Sequence, residues 1–192
     1  GMGLDSRTGG RFLRAGPAYG GSCFPKDTKA IVATADKFKT NLTLIKKVIS
    51  SNSNRSKLLL KKISSILNNK FKNKKICFLG VTFKANTDDM RGSSCLNMIP
   101  FLLNKGSFIN YFDPTGEKNE LKKFKNIKFS NSVKDACYKS DLIIIHTEWN
   151  EFKSLNFKKL VNKKNFTIYD FRNTYSPEKM KKLKIKYFSI GR

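Results

Sequence analysis

The run Leu142-Ile143-Ile144-Ile145-His146 limits the fold more than any other segment, because four aliphatic side chains follow one another with no polar residue between them. A half-exposed strand alternates apolar and polar residues. A strand covered on both faces has no need to. Other apolar runs lie at residues 75–80, 108–112 and 166–170, and a last one at 187–190 suits a sheet edge. The second of these ends at Asp113-Pro114, which reads as a strand-ending turn, and a helical segment at 94–103 separates the first two. Strands alternating with helices imply an open, mostly parallel α/β sheet. Ligands bind beyond the carboxyl ends of such strands. Residues 80–91, 113–116, 147–152 and 170–173 are therefore expected on one rim.

Upstream the rhythm is helical. Residues 1–21 are rich in Gly and Arg and read as loop or a short helix end. Ile31, Ala35 and Phe38 fall at helical spacing over 26–39, with Pro25 just before and Asp27 and Thr28 placed to cap or open the first turn. Leu42, Ile45, Ile49, Leu58, Leu59, Ile63, Ile66 and Leu67 form one interrupted apolar stripe over 41–71. A continuous helix of ~30 residues would be ~45 Å long, suited to bridging domains or pairing with a copy of itself. Two helices broken at the polar residues 50–54 are the alternative. The domain boundary falls between a helical part, 1–71, and an α/β part, 72–192.

Hydrophobic residues make up 39 % of the chain and aromatics 12 %, enough for a buried core. No apolar run approaches the ~20 residues of a membrane span, and residues 1–5 have no export-signal pattern. The net charge of +25 raises nucleic-acid binding. The lysines are spread along the chain, however, without a zinc-finger or RNP-like motif, which favours a solvated basic surface and no specific nucleic-acid partner. Such a field still attracts a small anion. Four cysteines without a CxxC pair, and a single histidine, give little support to a metal site or a disulfide framework. Reduced thiols in a cytoplasmic protein are expected. His146 is expected as a packed strand-end residue, Trp149 as packing, and Cys77 as inert core.

The segment Gly16-Pro17-Ala18-Tyr19-Gly20-Gly21-Ser22-Cys23-Phe24-Pro25-Lys26-Asp27 is a glycine loop feeding a thiol into a helix start. Glycines let backbone amides approach a phosphate or sugar. Asp27 lies one turn beyond Cys23, where it could handle a proton. A turn around a buried cysteine remains the alternative on spacing alone.

GGSCFPKD closely resembles the catalytic loop of the UDP-glucose/GDP-mannose dehydrogenase family. Three further segments resemble that family in its own order: Gly80-Val81-Thr82-Phe83-Lys84-Ala85-Asn86-Thr87-Asp88-Asp89-Met90-Arg91, then Thr147-Glu148-Trp149 with Phe152, then Asp170-Phe171-Arg172-Asn173. The TDD and TEW forms resemble the branch acting on UDP-glucose. The resemblance implies a central helical dimerisation segment followed by a Rossmann-like UDP-binding domain, and NAD-dependent oxidation of the C6 alcohol of UDP-glucose to a carboxylate. Cys23 would form a thiohemiacetal and then a thioester, with Asp27 assisting proton transfer or the hydrolytic water. Phe12, Leu13, Arg14, Ala15, Gly16 and Gly20 would line the sugar nucleotide, with Phe83, Lys84 and Arg172. Arg7 would reach the neighbouring subunit's substrate in a homodimer. Lys26 and Arg91 would contact NAD. Asp88 and Asp89 are expected as turn formers or helix caps.

The family's G-x-G-x-x-G strand-loop-helix for NAD does not occur in these residues. A C-terminal portion lacking the main NAD domain is therefore expected, from a truncated gene, an excised piece or a half-protein with a separate NAD-binding chain. Alone it would bind UDP without appreciable turnover. The alternatives are a non-catalytic nucleotide-sugar-binding or dimerisation module, or a dehydrogenase of another nucleotide sugar.

Overall fold

The computed structural model describes residues 1–7 and 9–191, with backbone only at 11 and 12. After 3-10 turns at Met2–Leu4 and Gly10–Leu13 come α1 (Cys23–Lys37) and α2 (Thr43–Ile66). The α/β part runs β1 (Lys75–Leu79), α3 (Cys95–Asn104), β2 (Phe108–Phe112), α4 (Asn119–Lys122), β3 (Ile127–Phe129), α5 (Val133–Cys137) and β4 (Leu142–Ile145). It then continues through a 3-10 turn (Asn150–Ser154), α6 (Phe157–Val161), β5 (Thr167–Asp170), α7 (Pro177–Lys182) and β6 (Lys186–Ser189).

Among the described residues the six strands form one sheet in the order β3-β2-β1-β4-β5-β6, and every pairing is parallel. The chain winds outward from β1 to β3, then returns to place β4 beside β1. The switch point lies between those two strands. The loops after β1, β2, β4 and β5 share the carboxyl rim, as their spacing predicts.

The two-faced burial of β4 follows from the period of two. Leu142 and Ile144 join one core layer with Ile76, Phe78, Met98, Ile99 and Leu102. Ile143 and Ile145 join the other with Cys77, Leu79, Phe152, Phe157 and Val161. The long helix is continuous, but its halves differ. Leu59, Leu60, Ile63 and Ile66 enter the first core layer, each contributing about 1.5–3 kcal/mol of apolar burial. Leu44 is 78 % exposed at the other end.

Three expectations need correction. The first helix begins at Cys23 rather than near 26. Pro25 sits inside its first turn, where a missing N–H costs nothing, and the Thr28 hydroxyl donates back to the Phe24 carbonyl at 2.8 Å instead of capping the helix start. The long helix stops at Ile66, short of Phe71, because Asn68 and Asn69 turn left-handed at φ 51° and 57°. The edge strand β3 was not foreseen: only three residues long, it lies in a lysine-rich stretch with no apolar run.

Candidate active site

Cys23 is the first residue of α1 and is exposed. Its loop is docked on the sheet by main chain. The Gly21 N–H donates to the Arg91 carbonyl at 2.7 Å. A Cβ at Gly20 would lie 2.6 Å from the Gly92 carbonyl oxygen, and one at Gly21 (φ +84°) 2.8 Å from the Phe83 ring. Only glycines allow this approach. A second clamp comes from the long helix. The Asn52 side chain accepts from the Tyr19 N–H at 3.0 Å and donates to the Tyr19 carbonyl at 3.1 Å, as a peptide group would. Tyr19 in turn packs edge-on against Phe24 at 4.7 Å.

The loop after β1 receives this docking. It starts with Gly80 (φ +75°), where a Cβ would lie 2.5 Å from that of Thr147 across the switch point. The buried Asp113 carboxylate braces it, accepting from Val81 N at 2.8 Å as well as from Thr115 N and Oγ1 at 3.0 and 2.6 Å. Further along, Lys84 is exposed, its Nζ 5.4 Å over the Phe83 ring. Arg91 folds onto Asp89, with Nη2–Oδ2 at 2.9 Å. That bond holds the carboxyl of Asp89 below its usual range and pushes the guanidinium of Arg91 up. Cys23 lies near enough to add a smaller push to Arg91.

Beside the loop opens a cleft of about 430 Å³ lined by Arg14, Ala15, Glu148, Lys153, Arg172, Asn173 and Thr174. Arg172 ties it together. Its Nε donates to the His146 carbonyl and its Nη2 to the Phe83 carbonyl, both at 2.9 Å, and it pairs with Glu148 at 2.8 Å. Its Nη1 would lie 2.9 Å from a Cβ at Gly16. One guanidinium thus joins the loops after β1 and β4 to the segment leading to the thiol. Asp170 shapes the turn behind it, accepting from Arg172 N at 2.9 Å and Thr174 N at 2.7 Å; burial raises its pKa despite these bonds.

The structure therefore gathers Arg14, Ala15, Gly16, Gly20, Phe83, Lys84, Arg91, Arg172 and Cys23 on one rim. Lys26 and Asp27 are exposed on α1 and pair with each other at 3.5 Å. Arg7 stands apart, folded onto Asp5 at 2.6 Å and 88 % exposed. Leu13 is exposed near Gly3, and the side chain of Phe12 lies outside the described residues. Asp89 does form a turn, as expected, and also holds Arg91. Sequence reading missed Lys153 and Thr174 as cleft residues, Asn52 as a clamp and Asp113 as a brace. Glu148 and Asn173 lay within noted motifs, whereas nothing local marks Asn52.

Trp149 is packed in the core, 9 % exposed. Cys77, Cys95 and Cys137 are buried, and burial raises the pKa of Cys95 to about 12 and pushes that of Cys77 well up. Among the described residues no group of three or more His, Cys, Asp or Glu side chains is placed to hold a metal, and no helix is long and apolar enough to cross a membrane.

A parallel doubly wound sheet with a cationic cleft on its carboxyl rim defines an α/β protein of the class that binds its ligands at the switch point. Comparison with known proteins narrows the class. The model for the UDP-binding domain of the UDP-glucose/GDP-mannose dehydrogenase family matches residues 77–177, and that for the family's central domain matches residues 1–54. The chain belongs to this family. It is 42 % identical over its whole length to the UDP-glucose 6-dehydrogenase of Rickettsia conorii and 39 % identical to that of Rhizobium meliloti. It spans 45 % and 44 % of those two proteins. A solved UDP-glucose dehydrogenase from Pyrobaculum islandicum superposes on 97 % of this chain, and 41 % of its own, with a TM-score of 0.78 at 25 % identity.

Proposed function

We propose that this chain supplies the nucleotide-sugar site and the nucleophilic thiol of an NAD-dependent UDP-glucose 6-dehydrogenase. The carrying observation is the main-chain docking of the Cys23 loop on the loop that bears Phe83, Lys84 and Arg91, beside the cleft. Arg14, Lys84 and Arg172 offer positive charge to a diphosphate, and the glycine loop offers close main-chain approach. The Cys23 sulfur adds to the C6 aldehyde, and the thioester formed later is opened by water, with Asp27 taking or giving the proton. Arg7 would serve a second subunit's substrate in a homodimer formed through the exposed end of α2. Four free cysteines suit a reducing cytoplasm.

NAD supplies the hydride acceptor for both oxidations in this reading. The sheet itself does not fit that cofactor. Dinucleotide folds use an acid after the second strand to bind ribose, and here Asp113 in that place is fully buried and taken up by loop amides. Lys26 and Arg91 would touch NAD only at its edge.

Calorimetry with UDP tests the nucleotide site, and a folded chain showing no saturable heat would sink that part. The 192-residue chain alone is expected to produce no NADH. Joined to the N-terminal half of the Rickettsia conorii relative it should turn over. There Cys23→Ser should abolish turnover and leave UDP affinity unchanged; surviving activity would remove Cys23 as the nucleophile.

A further inference from the structure

We propose that Thr174 is a ligand-binding residue of the cleft, its hydroxyl hydrogen-bonding an oxygen of a bound nucleoside diphosphate. This rests on the reading of the cleft as a nucleotide-sugar site. Thr174 lines the cleft, and its Oγ1 is buried without a hydrogen-bond partner among the described residues. Buried hydroxyls are paired in the great majority of proteins, so an orphan calls for an explanation. Among the described residues Ser130 Oγ and Trp149 Nε1 also lack a partner, but neither residue lines the cleft.

Two features prepare the hydroxyl for a ligand. Thr174 N is held by Asp170 Oδ2 at 2.7 Å, which fixes the backbone, and the β-branched side chain is stiff at χ1. The donor therefore costs little entropy to orient on binding. Around it, Arg14, Lys153 and Arg172 face a single carboxylate, Glu148. That balance favours an anion, and phosphate or ribose oxygens are the acceptors a nucleotide brings. Thr174 lies outside the segments whose family resemblance marks site residues.

The test is a pair of measurements on the full 192-residue chain: UDP affinity by calorimetry, and the melting temperature without ligand. Thr174→Val keeps the shape and removes the hydroxyl. It should weaken UDP binding roughly 3- to 10-fold, the range of one net hydrogen bond, and should leave the ligand-free melting temperature equal or higher. Thr174→Ser should restore most of the affinity. Wild-type chain that does not bind UDP would defeat the reading of the site itself and this inference with it. Wild-type binding with Thr174→Val unchanged within twofold would defeat this inference alone. So would a lowered melting temperature in Thr174→Val, which would assign the hydroxyl to structure.

Discussion

His146 is fully buried between two hydroxyls, with Nε2 2.8 Å from Ser94 Oγ and Nδ1 3.0 Å from Thr147 Oγ1. The Thr147 hydroxyl donates to the Thr82 carbonyl, so it accepts from Nδ1–H, and Nε2 accepts from Ser94. The ring is a neutral brace at the switch point. Burial, helped by the charge of Arg172, lowers its pKa to about 3. Its unfolded value is about 6.5, so the unfolded chain takes up the proton first. Stability is therefore full above about pH 6.5 and falls as pH drops toward about 3. From pH 7 to 4.5 this group alone should cost on the order of 2 kcal/mol. Urea denaturation across that range should show the slope, and His146→Asn should flatten it between pH 7 and 5, since the chain has no other histidine. The cysteines predict a second residue-scale result. Iodoacetamide should modify Cys23 rapidly and spare Cys77, Cys95 and Cys137 until the chain unfolds, which peptide mass spectrometry can read.

Between elements, the seam joining the thiol loop to the sheet depends on Gly20 and Gly92. Gly20→Ala places a Cβ against a carbonyl oxygen and the Phe83 side chain. It should cost about 1–3 kcal/mol, a melting shift of several degrees by calorimetry. Asn52→Ala removes two bonds to Tyr19 and should raise hydrogen exchange at Tyr19 by about tenfold, with protection in the buried half of α2 unchanged. Much of this architecture is legible in the sequence, because β1, β2, β4 and β5 are apolar runs bounded by Gly, Pro or Asp and α2 carries its stripe. The edge strand β3 is not, since Lys128 interrupts a three-residue segment. The clamp at Asn52 is equally silent, because a polar residue on a helix says nothing about a loop 33 positions away. The thiol loop could be placed at a helix start from its glycines, but its contact with Gly92 is a main-chain event that no side-chain pattern records.

Taken whole, the molecule puts a strongly basic surface around an uneven distribution of apolar side chains. Phe38 is 70 % exposed and Leu44 78 %, both near the end of α2 that leaves the sheet. If this end forms the proposed homodimer, sedimentation should show mass rising with concentration, and Phe38→Asp with Leu44→Asp should return it to monomer. Because each copy carries +25 charges, added salt should strengthen association by screening repulsion.

The seam at Gly20 and Gly92 has a consequence for transplantation. Its nearest contacts include an amide, a carbonyl and α-carbons, which every protein shares. A thiol loop taken from a distant relative should therefore seat on this sheet, provided the glycines on both sides of the seam and the Phe83 side chain they pack against are kept.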